Sequence, residues 1–223
     1  MLKIVLSLLV GMVIFVGIPL LGWGINSAET FFENPARLLY VVIIIVLQLI
    51  SVFFVQKKTN GGDNRKKETP RHKIDLILIQ ILSLAVVFIA PYSDRRATFI
   101  LTSGDITRYI GLALMTAGFF LMHLAEKYLD KQFSVEVTLQ ENHQLITTGP
   151  YRYLRHPRYA GILLFFLGIS LSFNSIPSLI VVLLLSTVLV WRVFAEEALL
   201  RREFGRQWDE YKSKTWRLIP FIF

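Results

Sequence analysis

Residues 36–55 read ARLLYVVIIIVLQLISVFFV, with a single charge, Arg37, near the start. A strand buried in a parallel sheet can be this apolar, but strands typically run only about 4 to 8 residues. At about 1.5 Å per residue, a helix of this length covers the ~30 Å hydrocarbon core of a bilayer. The stretch predicts a membrane-spanning helix. Whether it stands alone decides the fold.

It has companions on both sides. Leu2 to Gly22 carries only Lys3 as a charge. A secretory signal peptide is the competing reading there, but the run is long for one and no small-residue cleavage site follows closely. Ile74 to Pro91 has Asp75 at its edge, and Ile106 to Leu124 contains Gly111, Ala113, Ala117 and Gly118. Such small residues let helices approach closely. His123, near the end of that run, reads as an interfacial histidine rather than a site residue. Tyr159 to Phe173 and Ser178 to Trp191 are shorter runs separated by Asn174-Ser175-Ile176-Pro177, a turn signal. Together they predict a helical hairpin, tilted or in a locally thinned bilayer. Beyond it, Leu200, Phe204, Trp208 and Tyr211 recur at helical spacing, an amphipathic continuation near the interface.

The fold class expected is therefore all-α: a polytopic membrane helix bundle of about six transmembrane segments, the last two a hairpin. Residues 1–124 form four membrane helices in this reading, and residues 125–223 form a second, functional part.

Charge gives the sidedness. The net charge is +8, which in a membrane protein points to basic residues held on one face. With the N-terminus inside and six crossings, Lys3, the basic residues of 56–73, Lys127, Lys131, Arg152, Arg155, Arg158 and those from Arg192 to Arg217 share one side. Only Arg37, Arg95, Arg96 and Arg108 fall on the other. Both termini are expected in the cytoplasm. The basic, Gly-containing linker 56–73 reads as a lipid-headgroup contact rather than a nucleic-acid site. The chain has no cysteine, which excludes disulfides, thiolate metal sites, a cysteine nucleophile and a C-terminal prenylation signal.

Between residues 125 and 161 the sequence changes character. Phe133, Val135 and Val137 alternate with polar residues, and Leu145 to Gly149 forms a second short extended piece. Then comes Gly149-Pro150-Tyr151-Arg152-Tyr153-Leu154-Arg155-His156-Pro157-Arg158-Tyr159-Ala160-Gly161, polar and conformationally restricted, directly before an apolar run. The hairpin should return Arg192, Glu196 and Glu197 beside it. Arg192 and Glu196, four apart on one helix face, could be a plain intrahelical pair worth about 0.3–0.5 kcal/mol. His156 before Pro157 could be no more than a helix start.

In order, this stretch, Glu196-Glu197, Phe204-Gly205-x-x-Trp208-x-x-Tyr211 and Leu218-Ile219-Pro220-Phe221 resemble the isoprenylcysteine carboxyl methyltransferase family. This is the integral-membrane group related to phospholipid N-methyltransferases. The resemblance covers roughly the C-terminal 90 residues. It implies that S-adenosyl-L-methionine binds on the cytoplasmic side, wrapped by His143, Gln144, Leu145, Ile146, Tyr151, His156, Pro157, Arg158 and Tyr159, with Glu196 closing on it. It implies that Arg192 meets the acceptor's carboxylate. Glu136 aligns with a further cofactor contact, as a carboxylate where an amide is expected.

The chemistry agrees. Methyl transfer from a sulfonium is an in-line displacement that uses no metal and depends on positioning and exclusion of water. A glutamate can offset the cofactor's cations, and histidine or arginine can meet its carboxylate. A lipid-like or prenylated acceptor would enter sideways from the bilayer, so membrane lipids are the other expected contact. A carboxylate acceptor needs no general base. A phospholipid amine or small thiol acceptor needs one, and neither His156 nor Glu197 takes that role from sequence. Two other classes compete: a membrane NADPH-dependent reductase of the sterol or steroid-reductase kind, whose C-terminal tails look similar, and a non-enzymatic transporter or assembly factor. Against the latter, helices one to four carry few internal charges.

Overall fold

A computed structural model describes residues 2–54, 70–102, 104–129 and 145–223. The linker residues 56–69, Phe133, Val135, Glu136 and Val137, and the site residues His143 and Gln144 lie outside the described residues.

The described chain is helical. In order it runs α1 (Leu2–Met12), a π-helical turn (Val13–Gly17), α2 (Ile18–Trp23), α3 (Ala28–Phe32), α4 (Pro35–Phe54) and α5 (Pro70–Arg95). It continues with α6 (Ile106–Leu129), α7 (Pro157–Ser172), α8 (Ile176–Phe204) and α9 (Arg206–Lys212). Five helical segments are long and apolar enough to cross a membrane: Ile4–Trp23, Pro35–Val52, Ile74–Arg95, Ile106–Leu129 and Ile176–Phe204. The shorter apolar α7 completes the hairpin with α8. The chain is a multi-pass membrane protein. Among the described residues Leu145 to Thr148 has no partner strand, although Thr148 is extended.

The first crossing is one rod with a defect that its sequence explains. Pro19 lacks the N–H that would bond the Phe15 carbonyl, four residues back. The helix widens into the π turn just before it, and the buried Tyr40 hydroxyl on α4 donates to the Phe15 carbonyl at 3.0 Å.

α6 and α7 are the tightest pair, packed antiparallel through glycines seven residues apart on each helix. A Cβ on Gly118 would stand 2.5 Å from the Phe165 nitrogen and 2.7 Å from the Gly161 oxygen. A Cβ on Gly161 would stand 2.6 Å from the Met122 nitrogen, and one on Gly168 2.6 Å from the Gly111 oxygen. Where apolar lipid leaves little hydrophobic drive between helices, backbone contact of this kind supplies the packing. Gly161, the last residue of the polar motif, thus serves the bundle.

One end of the bundle is closed by ions. Arg108 of α6 donates to both Asp94 oxygens, at 2.8 and 2.6 Å, and to the Ser172 carbonyl at 3.1 Å. Arg37 of α4 reaches the same carboxylate at 3.3 Å. The predicted helical continuation past Trp191 extends α8 to Phe204, then breaks at Gly205, where φ is +49°. α9 turns away there and buries Trp208 and Tyr211.

Candidate active site

The motif loop is shaped by local rules before any chemistry enters. Gly149 takes φ +60°, and a Cβ there would strike the Tyr128 ring of α6. A short 3-10 turn over Gly149–Arg152 follows and buries Tyr151. The chain then runs parallel to the tail. The Trp216 amide donates to the Tyr153 carbonyl at 3.0 Å, Arg155 donates to the Trp216 carbonyl at 2.8 Å, and His156 to the Arg217 carbonyl at 3.1 Å. The Tyr211 hydroxyl donates to the Tyr151 carbonyl at 2.7 Å. Pro157 opens α7 in the first turn, where a missing N–H costs nothing.

His156 precedes α7, yet its side chain caps nothing. It points instead at α8. Nδ1 lies 3.4 Å from a Glu196 oxygen and Nε2 lies 3.5 Å from a Glu197 oxygen. Burial alone would lower the His156 pKa, but the two carboxylates outweigh burial and raise it above its ordinary value. Both ring nitrogens face a carboxylate, which is the cause of that rise. Burial raises the Tyr151 and Tyr211 pKa values, which keeps both phenols neutral.

Adjacent glutamates on α8 have different partners. Glu196 faces α7. The Tyr159 hydroxyl donates to one of its oxygens and accepts from Arg192 Nε at 2.8 Å, while Arg192 Nε lies 3.4 Å from the same oxygen. Glu196 keeps 23% of its side chain exposed, whereas Arg192 keeps 1%. Glu197 faces the tail and is saturated there. Arg217 grips both its oxygens, at 3.1 and 3.0 Å, and Arg155 Nε adds a bond at 2.9 Å.

The structure thus brings Tyr151, His156, Pro157, Tyr159, Arg192 and Glu196 to one end of the bundle. Leu145 and Ile146 lead into that end, half-buried. Arg158 pairs with Glu126 of α6 at 2.9 Å. His123 turns back on its own helix, against the Phe119 carbonyl at 3.0 Å. The sequence places Arg155 near Glu197, but not Arg217 as the third member of that clamp, nor Tyr159 as the link between Arg192 and Glu196. The Arg155 and Arg217 contacts span 42 and 20 residues, so no short-range spacing signals them.

Glu196 is a carboxylate fixed by donors from α7 and α8, with part of its surface still open. That fits a cationic group, such as the ammonium and sulfonium of S-adenosylmethionine.

Comparison with known proteins upholds the resemblance. Residues 106–207 match the family model for phospholipid methyltransferases. A probable protein-S-isoprenylcysteine O-methyltransferase of Oryza sativa subsp. indica is 32% identical over 121 residues, covering 51% of this chain and 61% of that protein. Protein-S-isoprenylcysteine O-methyltransferase B of Arabidopsis thaliana is 33% identical over 124 residues, covering 53% and 55%. The match spans less than two thirds of either relative's length. A delta(14)-sterol reductase of Mus musculus shares 32% identity over 83 residues, 36% of this chain and 20% of that protein. Among solved structures, a eukaryotic intramembrane Ras methyltransferase, isoprenylcysteine carboxyl methyltransferase, shares the fold. Its TM-score is 0.52 at 18% identity, over 97% of this chain and 98% of that one.

Proposed function

We propose that this chain is an integral-membrane methyltransferase that uses S-adenosylmethionine to esterify the carboxylate of an isoprenylcysteine-type acceptor. The observation that carries the reading is the order of groups along α8. At about 1.5 Å per residue from Ile176, Arg192 sits roughly 24 Å along the helix and Glu196 roughly 30 Å, near the edge of the ~30 Å hydrocarbon. The partly open carboxylate stands where a water-soluble cation can reach it, and the arginine lies one turn deeper, where a lipid-borne carboxylate arrives.

When bound, the cofactor supplies a methyl group made electrophilic by its sulfonium. The protein's part is binding, alignment and exclusion of water. Glu196 offsets the cofactor's positive charge. Tyr159 and His156 hold Glu196 in place. Leu145, Ile146, Tyr151, Pro157 and Arg158 line the cofactor side. Arg192 is the acceptor-facing group, its guanidinium suited to a bidentate carboxylate contact. A carboxylate acceptor arrives ionised, so this assignment calls for no general base. The cofactor side and both termini face the cytoplasm in this reading, from the distribution of Lys and Arg. Residues 1–124 serve as membrane scaffold and residues 125–223 as the cofactor-binding part.

The test is incubation of membranes containing the protein with methyl-labelled S-adenosylmethionine and a farnesylcysteine acceptor. Label released by mild base is the expected result. Base-stable label in lipid would point to an amine acceptor, volatile label to a small thiol, and either would overturn the carboxylate assignment. Failure of any label to transfer would overturn the enzyme itself.

A further inference from the structure

The tail ends in a closed hook. Phe223 donates its amide to the Ile219 carbonyl at 3.0 Å, and its own carbonyl accepts from Leu218 and Ile219 at 2.7 and 2.8 Å. Phe221 takes φ +66° to make the turn. The hook places its apolar side chains outward: Phe221 and Ile222 are 85% and 79% exposed. With Ile219, 50% exposed, they make the outer face of the hook apolar.

What lies against it can be read from α8. Ile180, Leu183, Leu184, Trp191 and Phe194 are exposed at helical spacing, forming one lipid-facing stripe on a membrane-spanning helix. The hook continues that stripe, because the Phe223 ring meets the Phe194 ring edge-on at 6.5 Å. Trp216, whose ring packs against Phe221 at 4.6 Å, is the residue type that favours the headgroup level.

The hook also touches the site machinery. The Arg217 guanidinium lies 4.7 Å from the Phe194 ring centre and 4.6 Å from that of Phe223. The same guanidinium grips Glu197 with two bonds, and Glu197 stands against His156, which stands against Glu196. The side chains form one connected path from the exposed hook to the candidate site.

We propose that the 216–223 hook seats in the headgroup–acyl boundary of the bilayer and that this seating holds Arg217 and Glu197 as positioning residues for the site. The ligand is the lipid interface itself. The second half of the proposal rests on the cofactor site proposed above. In the bilayer the hook's apolar rings are buried, and the two phenylalanines hold Arg217 square to Glu197. Without lipid the exposed hook loses its seat, and the grip on Glu197 and His156 loosens with it.

The chain has no cysteine, so Ile222→Cys introduces a single thiol for an environment-sensitive dye. With the full chain in phosphatidylcholine nanodiscs, the dye is expected to be quenched strongly by lipids brominated on the acyl chain and weakly by aqueous iodide. The reverse order, or protection from both quenchers as in contact with a second copy, would overturn the seating. For the coupling, the Phe221→Ser/Ile222→Ser double variant is titrated with S-adenosylhomocysteine by calorimetry in the same nanodiscs. The dissociation constant is expected to rise roughly tenfold, the scale of one weakened charge-assisted contact, with little change in Tm. An unchanged constant would overturn the coupling. If the unmodified protein does not bind S-adenosylhomocysteine, the proposed function falls, and the dye still decides the seating.

Discussion

The two ends of the helix bundle each bury arginines against carboxylates, but they differ in the acid left partly open: at one end Asp105, 48% exposed and paired with Arg108, at the other Glu196, 23% exposed and held among His156, Tyr159 and Arg192. At the Asp94 end the acid side chain is 3% exposed, with Arg108 on both oxygens and Arg37 on one of them. That cluster ties α4, α5 and α6 together, and Arg108 reaches the end of α7 through the Ser172 carbonyl. At the Glu196 end the work is divided. Glu197 is a closed clamp like Asp94, and Glu196 stays 23% exposed while held from two helices. Charges closed on themselves hold a membrane bundle in register. A held charge with an open face is a place to bind something.

The largest effect expected from breaking this comparison lies at the closed end. Asp94→Ala leaves two guanidinium groups without their shared acid, and losing one partner of a buried pair costs about 3–5 kcal/mol. Thermal unfolding in detergent should show a large drop in Tm, while the folded fraction keeps its affinity for S-adenosylhomocysteine. A Tm close to that of the unmodified protein would remove Asp94 from its structural role.

A smaller effect is expected at the open end. Arg192→Lys keeps the charge but loses the planar fork that meets a carboxylate with two bonds, a loss of about 1–2 kcal/mol in acceptor binding. KM for a farnesylcysteine acceptor should rise about tenfold while cofactor affinity holds. An unchanged KM would leave Arg192 as a partner of Glu196 and nothing more.

The smallest effect is a pH dependence confined to the open end. The His156 pKa is raised in the folded protein above its ordinary 6.5. Its contribution to stability is therefore complete below about pH 6.5 and is lost as pH rises through the raised folded-state value. A Tm profile from about pH 6 to 9 should slope downward on this account, and His156→Asn should flatten the slope. A slope retained in His156→Asn would assign it to another group.

Much of this was legible in the sequence. Long uncharged runs such as 36–55 permit one reading, because backbone groups in lipid must be satisfied within the helix. The small residues of α6 announced a close approach, and the structure adds its partners, Gly161 and Gly168. The pairing of the His156 loop with Glu196 was legible because a hairpin returns the chain to its starting side. Pro19 marked a break in the helix ladder, but nothing near it marked Tyr40, 25 residues away, as the donor that meets the freed carbonyl. Nor were the partners of Asp94 legible: Arg37 lies 57 positions off, and nothing in either local sequence marks the contact. The division of labour between Glu196 and Glu197 was hidden for a related reason. Neighbours on a helix point about 100° apart, and here one meets α7 while the other meets the tail.

In the function proposed above, the open carboxylate binds and the closed one only holds. Calorimetric titration of S-adenosylhomocysteine into the purified protein tests it through two matched variants, Glu196→Gln and Asp94→Asn. Glu196→Gln should weaken binding by tens of fold, about 2 kcal/mol or more, with little change in Tm. Asp94→Asn should lower Tm and leave the affinity where it was. Equal affinities for the unmodified protein and Glu196→Gln would contradict the claim.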